Sequence, residues 1–106
     1  KATASSENNF GGIKMKDMSM IDAHICLGDN VIIRMGDAVT NGDKVACVFK
    51  GTDSLIRRVY MNGDEVVLKA SNASGLYPDI RLDKKKDEFR IIGKVTSWMH
   101  DDEENH

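Results

Sequence analysis

Proline, cysteine and aromatic residues are scarce in this sequence: one Pro, two Cys and 6% aromatics among 106 residues. Cys26 and Cys47 each stand alone in an apolar stretch, so no disulfide scaffold of the secreted kind can be drawn. Both read as small buried thiols in a reducing compartment. A basic surplus is missing too, since fifteen Lys and Arg face seventeen Asp and Glu for a formal charge of −2. Binding to nucleic acid without sequence preference needs cations to displace counterions, so autonomous DNA binding is not expected. No apolar run approaches the ~20 residues of a membrane span, and the small polar residues before Phe10 lack the core of a signal peptide. They also lack an initiator Met. The reading is a cytoplasmic fragment, with residues 1–12 as the remnant of a linker whose upstream part was cut away.

What the sequence does contain is a succession of short apolar runs separated by turn residues. Ile13-Lys14-Met15-Lys16 is followed by a compact irregular segment from Asp17 to Asp29, then by Val31-Ile32-Ile33-Arg34. Thr40-Asn41-Gly42-Asp43 introduces Val45 to Phe49, and Lys50-Gly51-Thr52-Asp53 closes it. Five or more strands at such spacing, without a long helical period, predict a mainly β domain over residues 13–99, a curved antiparallel sheet or partly open barrel. Asn62-Gly63 predicts a type I′ hairpin pairing Met61 with Asp64, Val59 with Val66, Arg57 with Leu68 and Leu55 with Ala70. In that register Arg57 is the one charge on the core side. Alternation along residues 89–99 puts Phe89, Ile91, Gly93, Val95, Ser97 and Met99 on a core face. Ile92 and Trp98 then interrupt an otherwise polar face, either as ordinary exposed apolar residues or as a subunit interface. Lys84-Lys85-Lys86 reads as a solvated loop, and residues 100–106 as an acidic disordered tail.

Several chemistries find no support. No phosphate-binding glycine loop is present, and His24, Cys26, Cys47, His100 and His106 show no paired metal-ligand spacing. His24-Ile25-Cys26 supplies two ligands on one side of a strand, too few for a site. No cofactor and no metal are expected. Ser19, His24 and Asp29 could be written as a triad, but all three lie in one irregular segment, whereas triads draw on separate rigid elements.

A more specific pattern is the order Asp17-Met18-Ser19-Met20, an aliphatic end at Ile25, then Gly28-Asp29 and an apolar strand. It continues with Asn41-Gly42-Asp43 and its strand, Ile56-Arg57-Arg58, an Asn72 to Pro78 loop, and Ile91-Ile92-Gly93-Lys94-Val95. This succession resembles the LexA, UmuD and phage CI-repressor family across residues 13 to 99. The resemblance implies a fold of curved antiparallel strands with short 3-10 turns. It also implies a Ser nucleophile, activated by a deprotonated Lys, that cuts the same chain upstream. By correspondence Ser19 holds the nucleophile position and Arg57, 38 residues later, the base position.

Two departures weaken that implication. Guanidinium stays protonated at accessible pH, so Arg57 cannot serve as a general base. Lys69 points to the opposite face and Lys50 to a strand edge. Asp17 stands where the family usually has Gly, and a carboxylate there opposes an oxyanion. The two departures together predict an Asp17–Arg57 ion pair filling the former active site, each finding another partner being the alternative. The expected role, by resemblance, is the oligomerisation domain of a phage transcriptional repressor with a relic protease site. It would act as a dimer or higher homo-oligomer that meets operator DNA only through an N-terminal domain absent here. Ile92 and Trp98 are the expected interface residues. An active autoprotease triggered by RecA filaments and a UmuD-like polymerase accessory subunit are the alternatives.

Overall fold

A computed structural model describes residues 9–36, 38–51 and 53–100. Of the expected linker 1–12 and acidic tail 100–106, residues 1–8 and 101–106 lie outside the described residues. Seven strands form: β1 (Phe10–Lys14), β2 (Asn30–Arg34), β3 (Lys44–Phe49), β4 (Leu55–Asn62), β5 (Glu65–Lys69), β6 (Ile80–Asp83) and β7 (Phe89–Met99). They make one open antiparallel sheet in the order β1-β2-β7-β3-β4-β5-β6, with a single 3-10 turn among the described residues, at Ile21–Ala23. The mainly β architecture is the one expected from the punctuated apolar runs. The first strand begins earlier than expected: Phe10, Gly11 and Gly12 pair with Arg34, Ile33 and Ile32, so these residues belong to the sheet.

Both faces of the sheet carry a core, because neighbouring residues of one strand point in opposite directions. Ala46 and Ile56 join a cluster with Met15, Met20, Ile25, Val31, Ile33 and Val95. Val45, Cys47 and Val59 join the other, with Val66, Leu68 and Leu82. Met20 and Ile25 come from the irregular segment between β1 and β2. Burying side chains of this size is worth about 1.5–3 kcal/mol each, so the segment is held to the sheet by its apolar residues.

The hairpin differs from expectation in register. The pairs are Asn62–Glu65, Met61–Val66, Tyr60–Val67, Val59–Leu68 and Arg58–Lys69. Gly63 and Asp64 occupy the turn, and Gly63 has φ 62. A type I′ turn centred on Asn62-Gly63 would need positive φ at Asn62, which it does not adopt. Gly at the first central position meets the type II′ requirement instead. Asn41 reinforces this register: its Nδ2 donates to Met61 O (3.2 Å) and its Oδ1 accepts the Met61 N–H (2.8 Å). The slip is two residues, so the facing is unchanged and Arg57 remains on the side of Val59, Val66 and Leu68.

The alternation expected for β7 is overturned. The ladder to β3 passes from Gly93 to Ile91, leaving Ile92 as an extra residue, and the ladder to β2 passes from Ser97 to Val95, leaving Thr96. Each bulge resets which face the following residues occupy. Phe89 and Ile91 therefore pack on the second cluster, whereas Ile92, Val95 and Trp98 pack on the first. Met99, expected in the core, is 58% exposed. Gly93 lies where β7 meets β2, and a Cβ there would stand 2.9 Å from Arg34 O.

Candidate functional site

The segment between β1 and β2 presents Ser19 to Arg57 of β4. Three backbone anchors set it in place. Ser71 N–H donates to Ser19 O (2.7 Å), Asp22 N–H to Ser71 O (2.8 Å), and Asn72 Nδ2 to Met18 O (2.7 Å). Tyr77, in the same 71–78 stretch, accepts the Met18 N–H at its hydroxyl (3.3 Å) and lays its ring 5.8 Å from the Arg57 guanidinium carbon. The loop expected between Asn72 and Pro78 thus holds the Ser19 segment and covers the Arg57 guanidinium with Tyr77.

Inside, Arg57 Nη1 donates to Ser19 Oγ at 2.6 Å and to Ile56 O at 3.0 Å. Ser19 Oγ donates in turn to Asp17 Oδ1 at 2.6 Å, and the other carboxylate oxygen lies 3.7 Å from Arg57 Nη1. The expected Asp17–Arg57 pair therefore exists, with the Ser19 hydroxyl inserted in the same network. Asp17 Oδ1 also accepts the Ser19 backbone N–H at 3.0 Å. Arg57 is 5% exposed and Ser19 fully buried. Arg57 Nε is buried without an acceptor among the described residues. A guanidinium so enclosed costs several kcal/mol unless met by anions and acceptors, which is what Asp17, Ser19 and Ile56 O supply. Beside it, a cleft of about 180 Å³ runs between the end of β1 and the start of β4, reaching Asp17, Asp53 and Ile56.

The chemistry available here is constrained. Arg57 donates only. Among the described residues the base touching Ser19 Oγ is the Asp17 carboxylate. The lysines nearest Arg57 in sequence are engaged elsewhere: Lys69 Nζ lies 2.7 Å from Asp79, and Lys50 Nζ 3.7 Å from Asp87. Cys47, on the same face one strand away, is fully buried. Burial pushes its thiol up to about 11, against a smaller opposite pull from the Arg57 charge.

The triad written from Ser19, His24 and Asp29 does not assemble. Asp29 is held instead by His100, whose Nδ1 lies 2.5 Å from Oδ1, and by the Cys26 N–H, 2.8 Å from Oδ2. Metal-ligand spacing was absent in the sequence, yet the fold gathers Cys26, Asp29 and His100 with donor atoms within 4.8 Å of one another. Spacing analysis misses this set because His100 is 71 residues from Asp29. Ile92 and Trp98 do not stand on an open polar face. Both are partly buried against the first cluster, and Trp98 donates from Nε1 to His24 O at 2.9 Å with Lys44 Nζ 5.6 Å from its ring. Among the described residues no helix is long and apolar enough to cross a membrane.

Comparison with known proteins agrees with this geometry. The family model described as Peptidase S24-like matches residues 1–96. The LexA repressor of Thermotoga maritima is 40% identical over 83 residues, covering 78% of this chain and 40% of that protein. The LexA repressor of Ruegeria sp. is 31% identical over 97 residues, 92% of this chain and 40% of its own length. That of Magnetococcus marinus is 36% identical over 83 residues, 78% of this chain and 34% of its own. The chain thus spans about 40% or less of the length of these relatives. A match over most of the chain, on a sheet that brings Ser19 and Arg57 into contact, leads to one conclusion: the chain belongs to the Peptidase S24-like family.

Proposed function

We propose that this chain is the self-association domain of a phage-type transcriptional repressor in the bacterial cytoplasm, and that its peptidase site is inert. The observation that carries the second half is the 2.6 Å contact from Arg57 Nη1 to Ser19 Oγ, a permanent donor where acyl transfer needs a proton acceptor. Two further features support it. The Ser19 N–H, a natural oxyanion donor, is taken by the Asp17 carboxylate, and Ser19 is closed to solvent. Relatives called LexA repressor support the regulatory half. In this reading DNA is met through another domain, and pairing two such domains raises the local concentration of the second.

The test is a serine-directed fluorophosphonate applied to the 106-residue chain, read by intact mass. No adduct is expected on the chain as it stands, and labelling at Ser19 is expected in the Asp17→Gly/Arg57→Lys variant. An adduct on the unaltered chain that Ser19→Ala removes would establish a working nucleophile. That competing reading, a self-cleaving domain, has one observation in its favour: Asp17 is within 2.6 Å of the Ser19 hydroxyl and could accept its proton. Self-association is tested by sedimentation across concentration, where a concentration-independent monomer overturns the first half. Trp98→Ala is measured beside it to place the interface. A thermal melt of that variant is needed, because Trp98 also packs within its own domain.

A further inference from the structure

We infer that Cys26, Asp29 and His100 form a binding site for a single divalent transition-metal ion of the zinc type. The donor set is one thiol, one carboxylate and one imidazole, the mixture that suits a four-coordinate zinc ion with an exogenous fourth ligand. Two separate parts of the chain supply it: the end of the segment before β2, and the residue following β7. The strands themselves hold these ends together, since Asn30 pairs with Met99.

Asp29 is the fixed member. It is 1% exposed, and the Cys26 N–H occupies Oδ2 and leaves Oδ1 facing the imidazole. Such an arrangement orients a ligating carboxylate from behind. A carboxylate buried to this degree requires a cation or donors, and among the described residues the ionisable group it meets is His100. Bound metal would supply that positive charge directly.

The other two donors can adjust. Cys26 is half-buried on a loop, and the His100 side chain is 70% exposed. Oδ1 and Nδ1 now share a hydrogen bond at 2.5 Å. With bonds of about 2.0–2.1 Å to nitrogen and oxygen and about 2.3 Å to sulfur, these donors must part slightly and Sγ must approach, within the reach of two side-chain rotations. For Nδ1 to ligate, the neutral imidazole must carry its proton on the solvent-facing Nε2 in place of the shared hydrogen, and the thiol proton of Cys26 is released to water. The ion would tie the Ser19-bearing segment to the end of β7.

The experiment is a titration of the reduced 106-residue chain with Co2+ as an optical probe, followed by displacement with Zn2+. One ion per chain is expected, with thiolate-to-cobalt charge transfer in the near ultraviolet and the visible bands of a four-coordinate centre. Cys26→Ser should abolish the charge transfer, and His100→Ala should weaken affinity at least as much as the roughly 10–100-fold cost of losing a supporting partner. Zn2+ should raise the melting temperature of the unaltered chain and not that of the Cys26→Ser/His100→Ala variant. Absence of charge transfer on the folded chain, or equal affinity in Cys26→Ser, would overturn the site. Both substitutions spare the buried Asp29, so loss of binding in a variant whose apo melt lies well above the titration temperature is not an effect of unfolding.

Discussion

The segment between β1 and β2 carries a polar cluster at each end, and the two are built in opposite senses. At its start the buried member is a cation, Arg57, and the carboxylate of Asp17 is partly open, its side chain 28% exposed. At its end the buried member is an anion, Asp29, and the imidazole of His100 reaches into water. Guanidinium cannot discharge itself, so the first cluster must supply acceptors permanently: Asp17, Ser19 Oγ and Ile56 O. Imidazole can be protonated, neutral or metal-bound, so the second cluster can exchange what compensates Asp29. A fixed charge freezes a site, whereas an exchangeable one leaves it open to a ligand.

The largest expected effect breaks the first cluster. Asp17→Ala leaves Arg57 buried without its anion, and removing one partner of such a pair costs about 3–5 kcal/mol when both are enclosed. Asp17 is partly exposed and its second oxygen lies 3.7 Å away, so about 3 kcal/mol is expected in urea unfolding. Adding Arg57→Met should recover most of that loss, because an apolar side chain of similar length has no charge to compensate. A neutral Asp17→Ala would show that Ser19 and Ile56 O alone satisfy the guanidinium.

Gly93→Ala separates the clusters. A Cβ would press on Arg34 O at 2.9 Å, and backbone cannot retreat as a side-chain tip does. About 2 kcal/mol is expected from this overpacking. The strain falls between β2 and β7, whose far ends lead into Asp29 and His100, while Arg57 sits on β4. Cobalt binding should therefore weaken more than the Ser19–Arg57 contact, which can be followed by hydrogen exchange at the Ser19 amide. Equal disturbance of both would mean that the segment transmits strain along its whole length. Smaller still is His100→Ala in metal-free protein, about 1 kcal/mol in thermal unfolding, since its removal lets water reach Asp29.

How much of this was legible beforehand depends on the kind of order involved. Strand identity followed from apolar runs and turn residues, because both are local. The meeting of Ser19 with Arg57 was legible only through the resemblance, and the pairing with Asp17 through the cost of a charge on an apolar face. The hairpin register was missed because Asn-Gly favours one turn, whereas Asn41 bonds with Met61 across another element and supports a different one. Ile92 and Trp98 were given the wrong surroundings because strict alternation cannot survive two bulges, and nothing in Ile92 or Thr96 marks them as the extra residues. The Cys26, Asp29 and His100 cluster left no trace in spacing, since strand pairing alone brings its halves together.

The smallest effect near neutral pH uses Cys47 to read the charge of the first cluster. Its thiol stands at about 11 against an ordinary 9.0, raised chiefly by burial and pulled back in part by Arg57. A group raised on folding favours the folded state fully below its unfolded value and withdraws that support as pH rises toward the folded one. Stability should therefore decline from about pH 9, by under about 1 kcal/mol at pH 9.5, and level off above about 11. The rise of ultraviolet thiolate absorbance should follow the same course, with Cys26→Ser as the background and Cys26→Ser/Cys47→Ala as the blank. Arg57→Met removes the opposing pull, so the onset should move to higher pH. An unmoved onset would mean that Asp17 already neutralises the guanidinium field before it reaches the thiol, making the first cluster as closed electrically as it is sterically.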